Sequence, residues 1–191
     1  MELFDKILKL VDTNFIFCLV PIVLTLILIE LFFKNRFETK KVLNLIRWLI
    51  IIYIIITLFY STIGIIAYPE EFAFTNRATG PYKVAYWLML ICAWVFPLTL
   101  LNKKWASKFW YVLFVSILIK IGFYFERFVI AVTSYHRDYL PEKGIMEWMS
   151  LPSFGNVMIF LQGFIIAILA LGIFELIKRI KKTTIPLSYT S

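Results

Sequence analysis

Lys120, Glu126 and Arg127 stand inside the apolar run from Ser116 to Thr133, which is then released into a polar turn, Ser134 to Pro141, holding His136, Arg137 and Asp138. Ionisable side chains at membrane depth cost at least ~2.5 kcal/mol each on insertion scales, so they face a partner, a bundle interior or a water-filled path. The chemistry open to this combination is proton carriage, with the Glu126 carboxylate as carrier and the Arg127 guanidinium keeping it charged or steering water. At 100° per residue Lys120 and Arg127 share one helix face and Glu126 and Thr133 a neighbouring one. Glu126 and Arg127 therefore point to different neighbours although they are adjacent in sequence. Two readings stay open for Glu126, Arg127, Lys120, Thr133 and Ser134: a proton path, or a buried ion pair that locks helices together.

His136 is the one side chain that changes charge near neutral pH without help. With Arg137 and Asp138 it forms a cluster suited to docking a partner subunit, against the plainer reading of a solvated turn. Glu70, Glu71 and Arg77 form a second polar loop, expected to meet the same partner or the His136 loop. Tyr60, Ser61, Thr62, Ser116 and Gln162 could line a polar path, but single hydroxyls in membrane helices most often bond their own backbone. For Glu175 a surface pair with Lys178 or Arg179 suffices. Cys18 and Cys92 both sit in apolar runs without a CxxC or a nearby histidine, so they read as small buried hydrophobes rather than a disulfide, metal or haem attachment. No nucleophile with a base, no metal-ligand spacing and no phosphate loop is evident, so no catalytic residue is assigned and the isolated chain is not expected to be an enzyme.

These groups must be positioned by membrane helices. The chain has 191 residues, of which 61% are hydrophobic and 18% aromatic. That is far above the ~45 to 50% apolar share of soluble domains. Spans are expected at about 15–33, 45–68, 84–101, 110–133 and 154–177, each long enough for ~30 Å of hydrocarbon. Pro21 in the first is tolerable because neighbouring helices can satisfy the freed carbonyl. Met1 to Asn14 has apolar residues at 3, 4, 7, 8 and 11 and is expected as a separate helix on the membrane surface; its acids ahead of the apolar residues speak against a signal peptide. No linker divides the chain, so residues 1–191 read as one all-α membrane domain.

Basic residues set the orientation. Loops 34–47, 102–109 and 178–191 hold twelve Lys and Arg against the single acid Glu38, whereas 1–14, 69–83 and 134–153 hold six against eight acids. The positive-inside rule then puts the C-terminus in the cytoplasm and the N-terminus outside, and it accounts for the net charge of +8 without nucleic acid. Trp48, Tyr82, Trp105, Trp110, Tyr139 and Trp148 fall near span ends as interfacial anchors. Lys120 is expected about one and a half turns inside the cytoplasmic end of its span, with its ammonium snorkelling to the headgroups.

Two segments go beyond composition: FAFTNRATGPYKVAYW (Phe72 to Trp87) and ERFVIAVTSYHRDYLP (Glu126 to Pro141). Together with Pro97, they resemble the second half of the NrfD/polysulfide-reductase-type membrane subunits of alternative complex III, a bacterial quinol oxidoreductase. The resemblance implies an antiparallel four-helix bundle with one further packed helix, half of that family's two-bundle fold, in the bacterial inner membrane with a periplasmic N-terminus. It implies no cofactor bound by this chain, with quinone, haem c and iron-sulfur clusters in partner subunits. It also implies partners that include periplasmic haem or iron-sulfur subunits and a chain supplying the missing N-terminal half, to which the quinol pocket is mainly attributed. The chain departs from the family where Ala93 and Leu98 replace an expected Asn and Gln, and where Lys120 replaces an expected Asn. Those departures favour the alternative of a structural or assembly subunit with no chemistry of its own.

Overall fold

The computed structural model describes residues 2–34, 36–68, 74–81, 83–125, 128, 132 and 152–183, and among them every regular element is helical. Helix α1 (Glu2–Val11) runs into a widened π segment, Asp12–Ile16, and after a turn at Phe17 and Cys18 continues as α2 (Leu19–Phe32). Helix α3 spans Thr39–Ala67, and the short α4 spans Phe74–Thr79. Helix α5 (Lys83–Leu90) continues through a second π segment, Ile91–Val95, and a closing 3-10 turn, Thr99–Leu101. The chain then forms α6 (Lys103–Ala106), α7 (Phe109–Ile119), a further helical piece over 121–125, and α8 (Pro152–Thr183).

Among the described residues four stretches are long and apolar enough to cross a membrane: Leu3–Phe32, Thr39–Ala67, Lys83–Leu101 and Val157–Lys181. Helix α7 is apolar but only 11 residues long before Lys120 caps it. Within the expected surface helix Met1 to Asn14, the described residues 2–14 are not separate from the first long helix. They run on into the stretch Leu3–Phe32, and Asp5 and Asp12 accept hydrogen bonds from Tyr60 and Tyr53 along α3.

Both π segments lie just ahead of a proline in a spanning helix, Asp12–Ile16 before Pro21 and Ile91–Val95 before Pro97. A proline has no N–H for the carbonyl four residues back and its ring crowds that carbonyl, so the ladder has to change register nearby. The change is visible as the Phe17 N–H donating to the Asp12 carbonyl at 3.1 Å, one residue further back than an α-helix allows.

Helix α2 is the central column. It is apolar on all sides and packs against α3, α7 and, most extensively, α8. Leu19, Ile22, Val23 and Leu26 are buried against Ile46, Ile50 and Ile54 of α3, and Val112 and Val115 of α7 belong to the same core. On α3 the buried residues recur every three or four positions, and the opposite face carries exposed Ile52, Ile56, Phe59 and Ile63. The described helices are thus apolar outside as well as inside, a surface suited to lipid and unsuited to water.

Gly163 lets α8 approach α2 closely. A Cβ there would stand 2.6 Å from Pro21 Cγ and 3.0 Å from the Cys18 carbonyl oxygen, whereas one at Gly172 on the same helix would meet nothing within 4 Å. At the other end of this contact Lys178 Nζ lies 3.4 Å from Glu38 Oε1, and Lys41 Nζ lies 3.2 Å from Glu38 Oε2. The ends of α8 and the start of α3 therefore share one basic pole.

Gly163→Ala is expected to destabilise the chain by about 1 to 3 kcal/mol through overpacking, because backbone as well as ring atoms would have to move. Gly172→Ala should be neutral or gain up to ~1 kcal/mol of helix propensity. Thermal unfolding of both variants in detergent checks the pair, and equal melting temperatures would mean that the α2 to α8 contact is wrong. Hydrogen bonding from Lys41 first, and then from Lys178, holds the Glu38 carboxyl below its ordinary range. For a depressed acid the stabilisation is complete above the unfolded value of ~4.3 and is lost as pH falls through the lower folded value. Spin labels at Arg36 and Lys181 should give a narrow distance distribution at neutral pH that broadens only below about pH 4.

Candidate functional site: an acid, a base and a phenol between helices

Lys120 is the C-terminal cap of α7, where the backbone leaves helical geometry (φ −110°, ψ 18°) before helix resumes at 121. Its ammonium is turned inward. Nζ lies 2.5 Å from Asp12 Oδ1 and 2.6 Å from Oδ2, so it donates to both oxygens of a carboxylate that the π segment carries. Tyr53 on α3 donates its hydroxyl to the same Oδ1 at 2.7 Å. The Phe17 ring, 4.4 Å from Nζ, covers the ammonium, and Phe123 meets that ring edge-on at 4.6 Å. The side chains of Lys120 and Asp12 retain only 16% and 27% of their exposure, and one carboxylate therefore joins three elements in a mostly apolar setting.

Snorkelling is not what Lys120 does. It lies 11 residues beyond the start of α7 at Phe109, about 17 Å along a helix. Were Phe109 at the face of a ~30 Å hydrocarbon layer, that distance would bring Lys120 to about its middle. A charge at such depth is tolerated when it is paired and hydrogen-bonded, which Asp12 provides.

The same helices repeat the arrangement one level further along. Tyr60 donates to Asp5, and Phe4 packs against the Tyr60 ring at 5.1 Å. Asp5 and Asp12 are seven residues apart on one helix, as are Tyr53 and Tyr60 on the other, so one antiparallel register aligns both pairs. Nearby, Gln162 of α8 donates through Nε2 to the Asn14 Oδ1 at 3.1 Å and to its carbonyl at 3.2 Å. Asp5, Tyr60, Asp12, Tyr53, Lys120, Asn14 and Gln162 form a polar seam along the N-terminal helix.

Lys120 is thus the member of the expected Glu126, Arg127, Lys120, Thr133 and Ser134 set that enters a described site; the other four lie outside the described residues. So do Glu70, Glu71, His136, Arg137 and Asp138, while Arg77 is exposed on α4. Ser116 and Thr62 bond their own helix backbone, at 2.7 Å to the Val112 carbonyl and 2.8 Å to the Leu58 carbonyl, as isolated hydroxyls were expected to. Glu175 lies 3.8 Å from Lys178, the expected surface pair at i,i+3 spacing, and Cys18 and Cys92 are buried and unpaired. Asp12, Tyr53 and Asp5 are the functional candidates that sequence reading missed. The shared seven-residue spacing of the two acids and the two tyrosines was the signal that could have found them.

Among known proteins, no family model, no curated protein and no solved structure matches the chain.

The cluster can serve as an electrostatic joint, neutral as a whole and closed on itself, or as two stations of a proton relay. In either case a single substitution leaves a charge stranded among apolar helices. Asp12→Asn and Lys120→Met are each expected to cost about 3 to 5 kcal/mol, and the Asp12→Asn, Lys120→Met double variant much less. Tyr53→Phe should cost about 1.5 to 3 kcal/mol, as for a hydrogen bond to a charged group. A double-mutant cycle followed by unfolding in detergent measures this, and additive single effects would show that the pair does not couple.

Proposed function

We propose that this chain is an integral membrane subunit of a quinol-oxidising respiratory complex of the alternative complex III type, and that its own part is to anchor and hold helices together. The observation that carries the anchoring role is the Asp12–Lys120 pair closed by Tyr53, a polar joint whose bonds are all made within the chain. The assignment to that class of complex rests on the resemblance of the segments Phe72 to Trp87 and Glu126 to Pro141. In this reading the chain has five spans, arranged as half of the NrfD-like fold with four helices in an antiparallel bundle and one packed beside them. It lies in the bacterial inner membrane with its basic pole in the cytoplasm and its N-terminus in the periplasm. The exposed apolar flanks of the described helices and the gathering of Lys41, Lys178 and Glu38 at one pole support the membrane setting and the orientation. Quinone, haem c and iron-sulfur clusters belong to its partners.

A second reading gives the seam a role in proton movement. It is favoured by the repeated acid and phenol pairs, Asp5 with Tyr60 and Asp12 with Tyr53, about 10 Å apart along one helix and bridgeable by water. The experiment is a tagged full-length chain taken from native membranes in mild detergent. Haem-containing and iron-sulfur subunits are expected to co-purify, and a monodisperse monomer alone would overturn the proposal. In the purified complex, the Asp12→Asn, Lys120→Met double variant should assemble and retain quinol-driven proton release. Normal assembly with lost proton release would transfer the seam to the second reading.

A further inference from the structure

Arg47 on α3 is the buried cation outside the seam among the described residues. The residue is only 5% exposed, its Nε is buried with no hydrogen-bond partner, and among the described residues it forms no ion pair. Its guanidinium lies 5.0 Å from the Trp48 ring, a contact that does not satisfy an N–H. A buried Nε–H left without an acceptor on a cationic side chain is costly, so its environment points to an anion that completes it. Arg47 lines a cleft of about 380 Å³ together with Lys40, Asn44, Lys103 and Ser107, three cations and two neutral polar side chains with no carboxylate among them. Beside that cleft runs a wider groove of about 980 Å³, which shares Lys40 and Ser107 with it. The groove adds Lys34 and Lys108 at the basic pole and then passes down an apolar flank of Ile27, Leu31, Trp110 and Phe114. Glu30 also lines the groove, where its carboxylate is engaged by the Thr39 hydroxyl at 2.5 Å.

We propose that Arg47, Lys40 and Lys103 bind the phosphate of an anionic phospholipid, whose acyl chain lies in the adjoining groove between α2 and α7. The donor set suits an oxyanion: a guanidinium that can bond two oxygens, two ammonium groups, and Asn44 and Ser107 for the remaining lone pairs. A lipid is chosen over free phosphate because the polar cleft opens into an apolar groove at the pole where headgroups lie, and only an amphiphile fills both. The proposal needs the chain to sit in a bilayer and is independent of the respiratory assignment.

The full chain, in whatever complex it purifies with, is reconstituted in phosphatidylcholine nanodiscs and titrated with phosphatidylglycerol. Retained lipid is counted by native mass spectrometry and stabilisation is followed by thermal shift. Arg47→Gln and, because that buried position could impair folding, the exposed Lys103→Gln are compared with Lys181→Gln, which removes the same charge from the exposed end of α8. Weakening of about tenfold or more for Arg47→Gln, and a smaller loss for Lys103→Gln, with Lys181→Gln near the parent, is the expected result. Equal losses in all three variants would reduce the effect to general surface charge and overturn the site. No preference for phosphatidylglycerol over phosphatidylcholine would overturn it as well. Displacement of the lipid by inorganic phosphate or glycerophosphoglycerol at similar concentration would reject the lipid in favour of a soluble phosphate.

Discussion

A lysine that caps an apolar helix and turns inward among apolar side chains has to be answered by an acid, and much of this molecule follows from that demand. Leaving Lys120 unpaired would cost several kcal/mol of lost hydration, while a carboxylate that accepts two of its protons and a third from a phenol returns most of it. Asp12 meets the requirement because the π segment that follows α1 lies beside the end of α7, and α1 runs on through it into α2. Just after the π segment that presents Asp12, Phe17 lies over the ammonium and covers one side of the pair. Because Tyr53 must reach the same oxygen, the register of α3 against the first span is set too, and Asp5 with Tyr60 follows seven residues on.

Packing and polarity are divided between two regions. The apolar column of α2 supplies contact area without direction, since a helix that is hydrophobic all round can be met from any side. Specific alignment comes from features that tolerate no slip: the close approach of Gly163 to Pro21, the seam at Asp12, and the ion pairs of Glu38 with Lys41 and Lys178. Prolines take part through the backbone. Pro21 and Pro97 each follow a widened turn, and that turn re-aims the side chains on its N-terminal side, Asp12 among them.

The two charged regions differ in how completely they are satisfied. At the seam, donors and acceptors within the chain match, which is the signature of a joint and gives a proton no vacant partner without added water. At Arg47 the cations outnumber the acceptors, and the imbalance sits where a basic pole adjoins an apolar groove. A closed cluster holds the helices in place; an open one is poised to take something from outside.

Composition, spacing and charge distribution determined on their own that the described residues are helical, that they include helices long enough to cross a membrane, and that basic residues gather at the helix ends, Lys34 and Lys103 between the long helices and Lys41 and Lys178 within a turn of an end. These properties are local: hydrophobic runs of a given length have few alternatives, and isolated hydroxyls such as Ser116 and Thr62 have a backbone carbonyl one turn away. The inward turn of Lys120, the continuity of α1 with the first long helix and the choice of Asp12 as partner were decided by tertiary structure. An amphipathic helix such as Glu2–Val11 suits a membrane surface or the flank of another helix equally well, and its own periodicity does not distinguish them. The pairing joins residues 41 and 108 positions apart, and what selects it is the free energy of an unpaired charge in hydrocarbon, which no short stretch of sequence expresses until the helices meet.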